Sequence, residues 1–139
     1  SSDLAGVPIE ILVRGMCALR PGVAGLSETI KVRSVLGRYL EHSRVFRFLN
    51  EGDPIVYIGS ADMMHRNLDR RVETLIRLRQ SDQLKEMENL FALAMSDGSR
   101  SWHLQSDGSW LRNGGQPGTG LIDVQDQLMA NTLSPGANQ

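Results

Sequence analysis

Most hydrophobic residues of the chain lie in short runs separated by segments that contain glycine or proline, and these runs have the length of β-strands. Ile9–Val13 is rich in β-branched residues and is bounded by proline and glycine, so it predicts a central strand. Residues 30–35 alternate between apolar and polar and predict a second strand. Residues 45–49 and 55–58 flank an Asn-Glu-Gly-Asp-Pro segment, which predicts an antiparallel hairpin.

Helical periodicity is strongest after Ser81. Apolar residues recur there at steps of three and four, and the Ser81 hydroxyl can cap the first free amides, so a helix is predicted from Ser81 to about Asp97. The other predicted elements are short turns at 38–41 and 62–67, a strand at 72–78, a hairpin about 106–109, a loop at 113–120, a helix at 122–133 and a fraying end at 134–139.

This mixture of strands and helices predicts the α/β fold class, and 139 residues suit a single domain that spans residues 1–139. Every apolar run ends well before the roughly 18 residues that a membrane span needs, so no transmembrane segment is expected. The first residues carry no signal-like stretch, and the single Cys17 excludes an internal disulfide. A cytoplasmic location is therefore expected, with peripheral association with a membrane left open.

The formal net charge of -1 conceals an uneven distribution of charge. The segment from Arg14 to Arg79 carries eleven Arg and one Lys against seven acidic residues, which leaves it at about +5 and the remainder at about -6. Arginine offers a rigid, permanently charged fork that matches the oxygens of a phosphate group. Phosphate is therefore the expected partner, and a solvated face with surface ion pairs is the alternative.

Two candidate groups lie at strand ends, where side chains can reach a ligand. Arg14 closes the first apolar strand and precedes Gly15, which lets a ligand come close, although an ion pair would explain it equally well. His42 and Arg44 are two residues apart in an extended segment, so both can address one phosphoryl group from the same face. Histidine can transfer a proton or attack as a nucleophile near neutral pH, but an isolated histidine is more often a surface or capping residue.

A third candidate group follows the strand at 55–58. The Gly-Ser-Ala-Asp turn at 59–62 can present backbone amides and a hydroxyl to an anion, and the basic and amide side chains after it add further donors. The alternative is that Asp62 caps a helix. Phosphate contacts are expected from these side chains: Arg44, Ser60, Asp62, Arg66, Asn67 and Arg70.

The order His-x-Arg, hairpin and Gly-Ser-x-Asp resembles the His-x-Lys and Gly-Ser-x-Asn pattern of the phospholipase D superfamily, with Arg replacing Lys and Asp replacing Asn. Within that architecture the chain is more similar to the bacterial polyphosphate kinases. The segments that carry this resemblance are ILVRG at 11–15, LEHSRV at 40–45 and SADMMHRNLDRRVE at 60–73. The resemblance implies a phospholipase D-like mixed sheet flanked by helices, with a motif-bearing core at 5–96 and a variable tail at 97–139.

In polyphosphate kinases the terminal phosphate of ATP passes through a phosphohistidine to a growing polyphosphate chain, reversibly and with Mg²⁺. The resemblance implies that Arg14 contacts ATP and that His42 is a second essential histidine, which contacts ATP and acts as an acid, base or hydrogen-bond donor. It also implies that the phosphorylated histidine and the magnesium ligands lie in preceding domains, so no metal site is expected here. The expected partners are ATP, ADP, polyphosphate and those domains, but not nucleic acid, and association with a second copy of the chain is left open.

Two other functions stay open. A phosphodiesterase or nuclease half-site of the phospholipase D type would use His42 as the nucleophile, and Arg44 in place of lysine argues against it. A non-catalytic module would bind polyphosphate through the same arginines without turnover. Because the covalent step is implied to lie elsewhere, the chain by itself is expected to be inactive as a kinase.

Overall fold

The computed structural model describes residues 5–115, 117 and 120–133. Its helices and strands confirm the predicted α/β class and form two compact units, unit 1 (Ser1–Glu41 with Ala92–Gln139) and unit 2 (His42–Phe91). The elements are β1 Ile9–Val13, β2 Ile30–Ser34, β3 Val45–Phe48, β4 Ile55–Gly59, α1 His65–Arg70, β5 Leu75–Arg77, α2 Ser81–Ala94, β6 Trp102–Leu104, β7 Trp110–Arg112 and α3 Val124–Leu133. The single-domain expectation stays a prediction.

Unit 1 contains a four-stranded sheet in the order β1-β2-β6-β7. β1 and β2 pair in parallel, from Ile9 opposite Ile30 to Val13 opposite Ser34, and the other pairs are antiparallel. The prediction that β1 is central is wrong for the described residues, since β2 is its only neighbour there. A run of β-branched residues indicates that both faces of a strand are covered, but it does not indicate whether both edges of the strand are paired.

The core of unit 1 forms where β2, α2 and α3 end or begin. Val35, Ala94 and Val124 are 6%, 1% and 4% exposed, and each buried valine contributes about 1.5–3 kcal/mol. Three partly buried leucines pack against them: Leu12, Leu93 and Leu128. This cluster packs the end of α2 and the start of α3 against the residue that follows β2.

Residues 38–41 form no helical turn, so that prediction is wrong. Gln125, 7% exposed, accepts a hydrogen bond from Tyr39 N through Oε1 and donates to Tyr39 O through Nε2, both at 2.8 Å. A Cβ atom on Gly37 would lie 2.2 Å from the same Oε1. The glutamine therefore occupies the backbone groups that a helical turn would pair internally.

Unit 2 contains a three-stranded antiparallel sheet in the order β3-β4-β5. Val45 pairs with Ile58 and Phe48 with Ile55, which confirms the predicted hairpin. Its connection includes a 3-10 turn in which Asn50 has a φ of 43°, a left-handed conformation that asparagine tolerates better than most residues. The antiparallel register sets which side chains meet at each end of the sheet.

Several predicted boundaries are corrected by the structure. α1 begins at His65 and not at 62, because Met64 is extended. β5 has three residues instead of seven, because Thr74 N donates to the Ser60 side chain and not to a neighbouring strand. α2 ends at Ala94, where Ser96 Oγ donates to the Leu93 carbonyl.

The hairpin of β6 and β7 confirms the predicted hairpin, and α3 confirms the predicted last helix except that it begins at Val124 and not at 122. Positions 116, 118 and 119 of the predicted loop, and the end at 134–139, lie outside the described residues. Within the described ranges, no helix has both the length and the apolar character that crossing a membrane would require.

Candidate functional site

Two of the three sequence clusters meet at one end of the unit 2 sheet, where β3 begins and β4 ends. Val45 lies opposite Ile58, and Gly59 N donates to Arg44 O at 2.9 Å. In an antiparallel pair, the residues before one strand lie beside the residues after its partner. The register therefore brings Arg44 next to the turn at 59–62.

Arg44 links two predicted site residues. Its Nε donates to Asp62 Oδ1 at 2.9 Å, and the two side chains are only 17% and 23% exposed. Its Nη1 and Nη2 lie 3.1 and 3.2 Å from Nδ1 and Nε2 of His42. A neutral imidazole has one acceptor nitrogen, so one of these contacts at most is a hydrogen bond and the other is a packing contact. His42 is itself exposed, so its ring is fixed by Arg44 and still open to a ligand.

Glu73 is a site residue to which the sequence analysis gave no role. The Ser60 hydroxyl donates to Glu73 Oε2, and Asn67 Nδ2 donates to Oε1 at 3.0 Å. These two bonds, with smaller contributions from nearby arginines such as Arg71, lower the pKa of the Glu73 carboxyl. The available signal was an acidic residue near the start of a strand-like run, separated from two arginines by a single valine.

The short helix α1 separates the predicted phosphate contacts by face. Asn67 points inward and is 2% exposed, and its Oδ1 has no hydrogen-bond partner among the described atoms. Arg66 and Arg70, four residues apart, are exposed and make no hydrogen bond or ion pair within the described part of the chain. Their guanidinium groups are therefore available for an anion.

Arg14 belongs to unit 1. It is exposed, directly follows β1, and donates from Nη1 to the carbonyl of Glu41 at 2.8 Å. Gly15 has a φ of +88°, a conformation that favours glycine, and its amide donates to Ser34 Oγ at 3.0 Å. The strand end thus carries a charged side chain on a backbone that β2 holds in place.

Residues 1–121 match the sequence model described as polyphosphate kinase C-terminal domain 2. The chain belongs to this family. Curated polyphosphate kinases are similar to it: 57% identity over 129 residues in Streptomyces coelicolor, 50% over 131 in Mycobacterium avium and 48% over 124 in Prochlorococcus marinus. These matches cover 90%, 94% and 89% of the chain.

The crystal structure of polyphosphate kinase from Porphyromonas gingivalis matches 95% of the chain with a TM-score of 0.85 and 29% identity. The phospholipase D-like fold that the sequence predicted is thereby confirmed. The chain spans 17% to 18% of the length of these curated relatives and 20% of the crystallised chain.

The polyphosphate kinase family implies ATP as substrate and a metal ion. Within the described ranges, no group of three or more His, Cys, Asp or Glu side chains could hold a metal. Of the carboxylates at this end of the sheet, Asp62 is bound to Arg44, and Glu73 to Ser60 and Asn67. These residues do not fit a magnesium site.

Proposed function

We propose that this domain provides part of the ATP-binding and phosphoryl-transfer site of a polyphosphate kinase, which passes the terminal phosphate of ATP reversibly to polyphosphate. The observation that carries the proposal is the exposed His42, held against an Arg44 guanidinium that Asp62 fixes in turn. Phosphoryl transfer asks a protein chiefly for positioning and for neutralisation of charge on the transferring oxygens. A fixed histidine in an arginine-rich unit supplies both.

His42 contacts ATP in this proposal and acts beside the transferring phosphate as an acid, base or hydrogen-bond donor. Arg14 contacts the ATP phosphates. The support for these two roles is the resemblance of their motifs to those of polyphosphate kinases, together with the exposure of both side chains.

Arg66 and Arg70 are the phosphate contacts that the exposed face of α1 supports best, because both guanidinium groups are unengaged in the described part of the chain. A guanidinium binds phosphate through two parallel hydrogen bonds. The phosphate contacts expected of the other four side chains stay predictions, and their hydrogen bonds also support a holding role: Arg44, Ser60, Asp62 and Asn67.

The rest of the reaction is assigned to domains that precede this one in full-length polyphosphate kinases. They supply the phosphohistidine and the magnesium ligands, so this chain by itself has little or no kinase activity. A cytoplasmic enzyme that associates with a second copy of itself, and that does not bind nucleic acid, completes the proposal.

The test compares the full-length protein with the 139-residue chain in ATP and Mg²⁺, following both phosphoenzyme and polymer. The full-length protein should form both, and the 139-residue chain should form neither. Cleavage of a phosphodiester by the full-length protein, without ATP-dependent polymer, would instead support the phospholipase D-type activity. Binding of polyphosphate without turnover would support the non-catalytic module.

A further inference from the structure

The Glu73 carboxylate accepts hydrogen bonds from two separate segments of the chain. Ser60 follows β4 and donates its hydroxyl proton to Oε2, while Asn67 lies in α1 and donates to Oε1 at 3.0 Å. The side chain of Glu73 is 17% exposed and Asn67 is 2% exposed, whereas Ser60 is exposed, so water is kept away from the bond to Asn67 but can reach the bond to Ser60. Hydrogen bonds to an ionised carboxylate are stronger than those between neutral groups.

The Ser60 hydroxyl has a single proton, and that proton is engaged in the hydrogen bond to Glu73. Ser60 Oγ in turn accepts a hydrogen bond from Thr74 N at 3.0 Å. Phosphate oxygens are acceptors, so Ser60 cannot donate to a phosphate while this bond is in place. The amide of Asn67 is likewise directed at the carboxylate and away from solvent.

The backbone of the same turn is tied down as well. Ser60 N donates to Thr74 O at 3.1 Å, so both the backbone and the side chain of Ser60 are bonded to the segment that carries Glu73. Asp62, two residues further on, is the carboxylate that binds Arg44. The position of Asp62 therefore depends on how firmly this turn is held.

We propose that Glu73 is a positioning residue for phosphoryl transfer. Its carboxylate accepts hydrogen bonds from Ser60 and Asn67 and so fixes the turn at 59–62. From that turn, Asp62 holds Arg44 against His42. This inference rests on the proposed function for its effect on catalysis. Its structural part, that Glu73 fixes the turn, can be measured without any turnover. The competing account is that Ser60 and Asn67 contact phosphate directly and that Glu73 has no part in the site.

The test uses the full-length enzyme with Glu73→Gln, Asp62→Asn, the double variant and the control Glu86→Gln, which changes an exposed acid of α2 that makes no hydrogen bond or ion pair within the described ranges. Hydrogen exchange of peptides covering residues 59–64 reports on the turn, and steady-state synthesis of polyphosphate gives kcat and the KM for ATP. Residues that act through one another show non-additive effects.

We expect Glu73→Gln to speed exchange in 59–64 at least severalfold and to lower kcat about tenfold or more, with the KM for ATP changed less than about threefold. The kcat of the double variant should lie within about twofold of the kcat of Asp62→Asn alone, and Glu86→Gln should match the wild type. Unchanged exchange, or effects of Glu73→Gln and Asp62→Asn that multiply, would overturn the proposal.

If Glu73→Gln does not fold, Ser60→Ala removes the same link from the other side. Faster exchange with a lower kcat then supports the proposal, whereas unchanged exchange with a raised KM for ATP contradicts it. A wild type that makes no polymer, combined with faster exchange in the variant, would refute the proposed function and leave the structural role of Glu73 standing. The two failures are therefore distinguishable.

Discussion

The Arg44 guanidinium lies against the His42 imidazole, with Nη1 3.1 Å from Nδ1 and Nη2 3.2 Å from Nε2. Contact at both ring nitrogens fixes the direction of the ring more firmly than one hydrogen bond would. The planar fork of arginine can span both nitrogens, and the single ammonium of lysine cannot. The replacement of lysine by arginine in the His-x-Lys pattern therefore has a structural consequence at this site.

Arg44→Lys in the full-length enzyme should lower kcat by about ten- to hundredfold, because a small displacement of a reacting group is costly in rate. The charge is kept, so thermal stability should change little. The measurement is steady-state synthesis of polyphosphate from ATP, with the melting temperature recorded for the same samples.

Arg47→Lys is the matched control for this prediction. Arg47 is another arginine next to a carboxylate in the same hairpin, with Nη2 2.7 Å from Glu88 Oε1. It is a partly exposed ion pair, worth about 0–1 kcal/mol, and it has no assigned role in the site. Equal losses of kcat in Arg44→Lys and Arg47→Lys would contradict the role given to Arg44.

Replacing Arg66 and Arg70 together by alanine should raise the KM for ATP or polyphosphate about tenfold or more, since each charged hydrogen bond contributes about 1.5–3 kcal/mol. Arg100→Ala serves as the control, because Arg100 is 51% exposed and paired with Asp123 at 3.2 Å. Kinetics at two salt concentrations would show the expected weaker salt dependence in the double variant. An unchanged KM would remove α1 from the phosphate site.

The sequence was sufficient to predict the strands, the hairpin of β3 and β4, the start of α2 and the family, because each depends on local periodicity or on contiguous motifs. It was not sufficient for the segment at 38–41, where Gln125 binds the backbone of Tyr39 from 86 residues away. Nor could it show that Thr74 pairs with the Ser60 hydroxyl, which shortens β5. Such long-range polar contacts leave no periodic trace in the sequence.

The same limit applies to the site. The sequence predicted the hairpin of β3 and β4, and its register places Arg44 beside the turn at 59–62, a proximity that the sequence analysis did not state. Residue types and spacing did not show that Arg44 donates to Asp62 and Ser60 to Glu73, although both donors were expected to bind phosphate. A motif specifies which chemical groups are present, whereas the packing of the folded chain determines which hydrogen-bond partner each group has.

A fall in pH should lower the free energy of unfolding of this chain before its carboxylates titrate. Partial burial, and secondly Arg33 beside it, lower the pKa of His103 from its ordinary value of 6.5, so the folded chain binds this proton more weakly than the unfolded chain. As the pH falls from about 7.5 to 5.5, the unfolded chain takes up the proton first and the free energy of unfolding decreases. The nearby Asp97 carboxylate acts in the opposite sense and reduces the effect.

Urea unfolding of the chain and of His103→Gln across this pH range measures the effect. Glu73 and Asp107 also have lowered pKa values, and both stay largely ionised in this window. The slope of stability against pH should therefore be smaller in His103→Gln. An identical slope in both proteins would contradict the assignment.

Gly37→Ala should destabilise unit 1 by about 1–3 kcal/mol, because the new Cβ would lie 2.2 Å from Gln125 Oε1 and the glutamine cannot retreat without losing its bonds to Tyr39. Gly114→Ala is the matched control, since a Cβ there meets nothing within 4 Å. Urea unfolding compares the two variants. Equal stability of the two would show that Gln125 does not hold this segment.

The most direct test of the central claim is ATP-dependent synthesis of polyphosphate by the full-length wild type, His42→Ala and His103→Ala, with phosphoenzyme followed in the same reactions. If His42 acts beside the transferring phosphate, His42→Ala should lose at least about a hundredfold in polymer synthesis, while His103→Ala stays within a fewfold of the wild type. Near-normal synthesis by His42→Ala, or equal losses in both variants, would contradict the account.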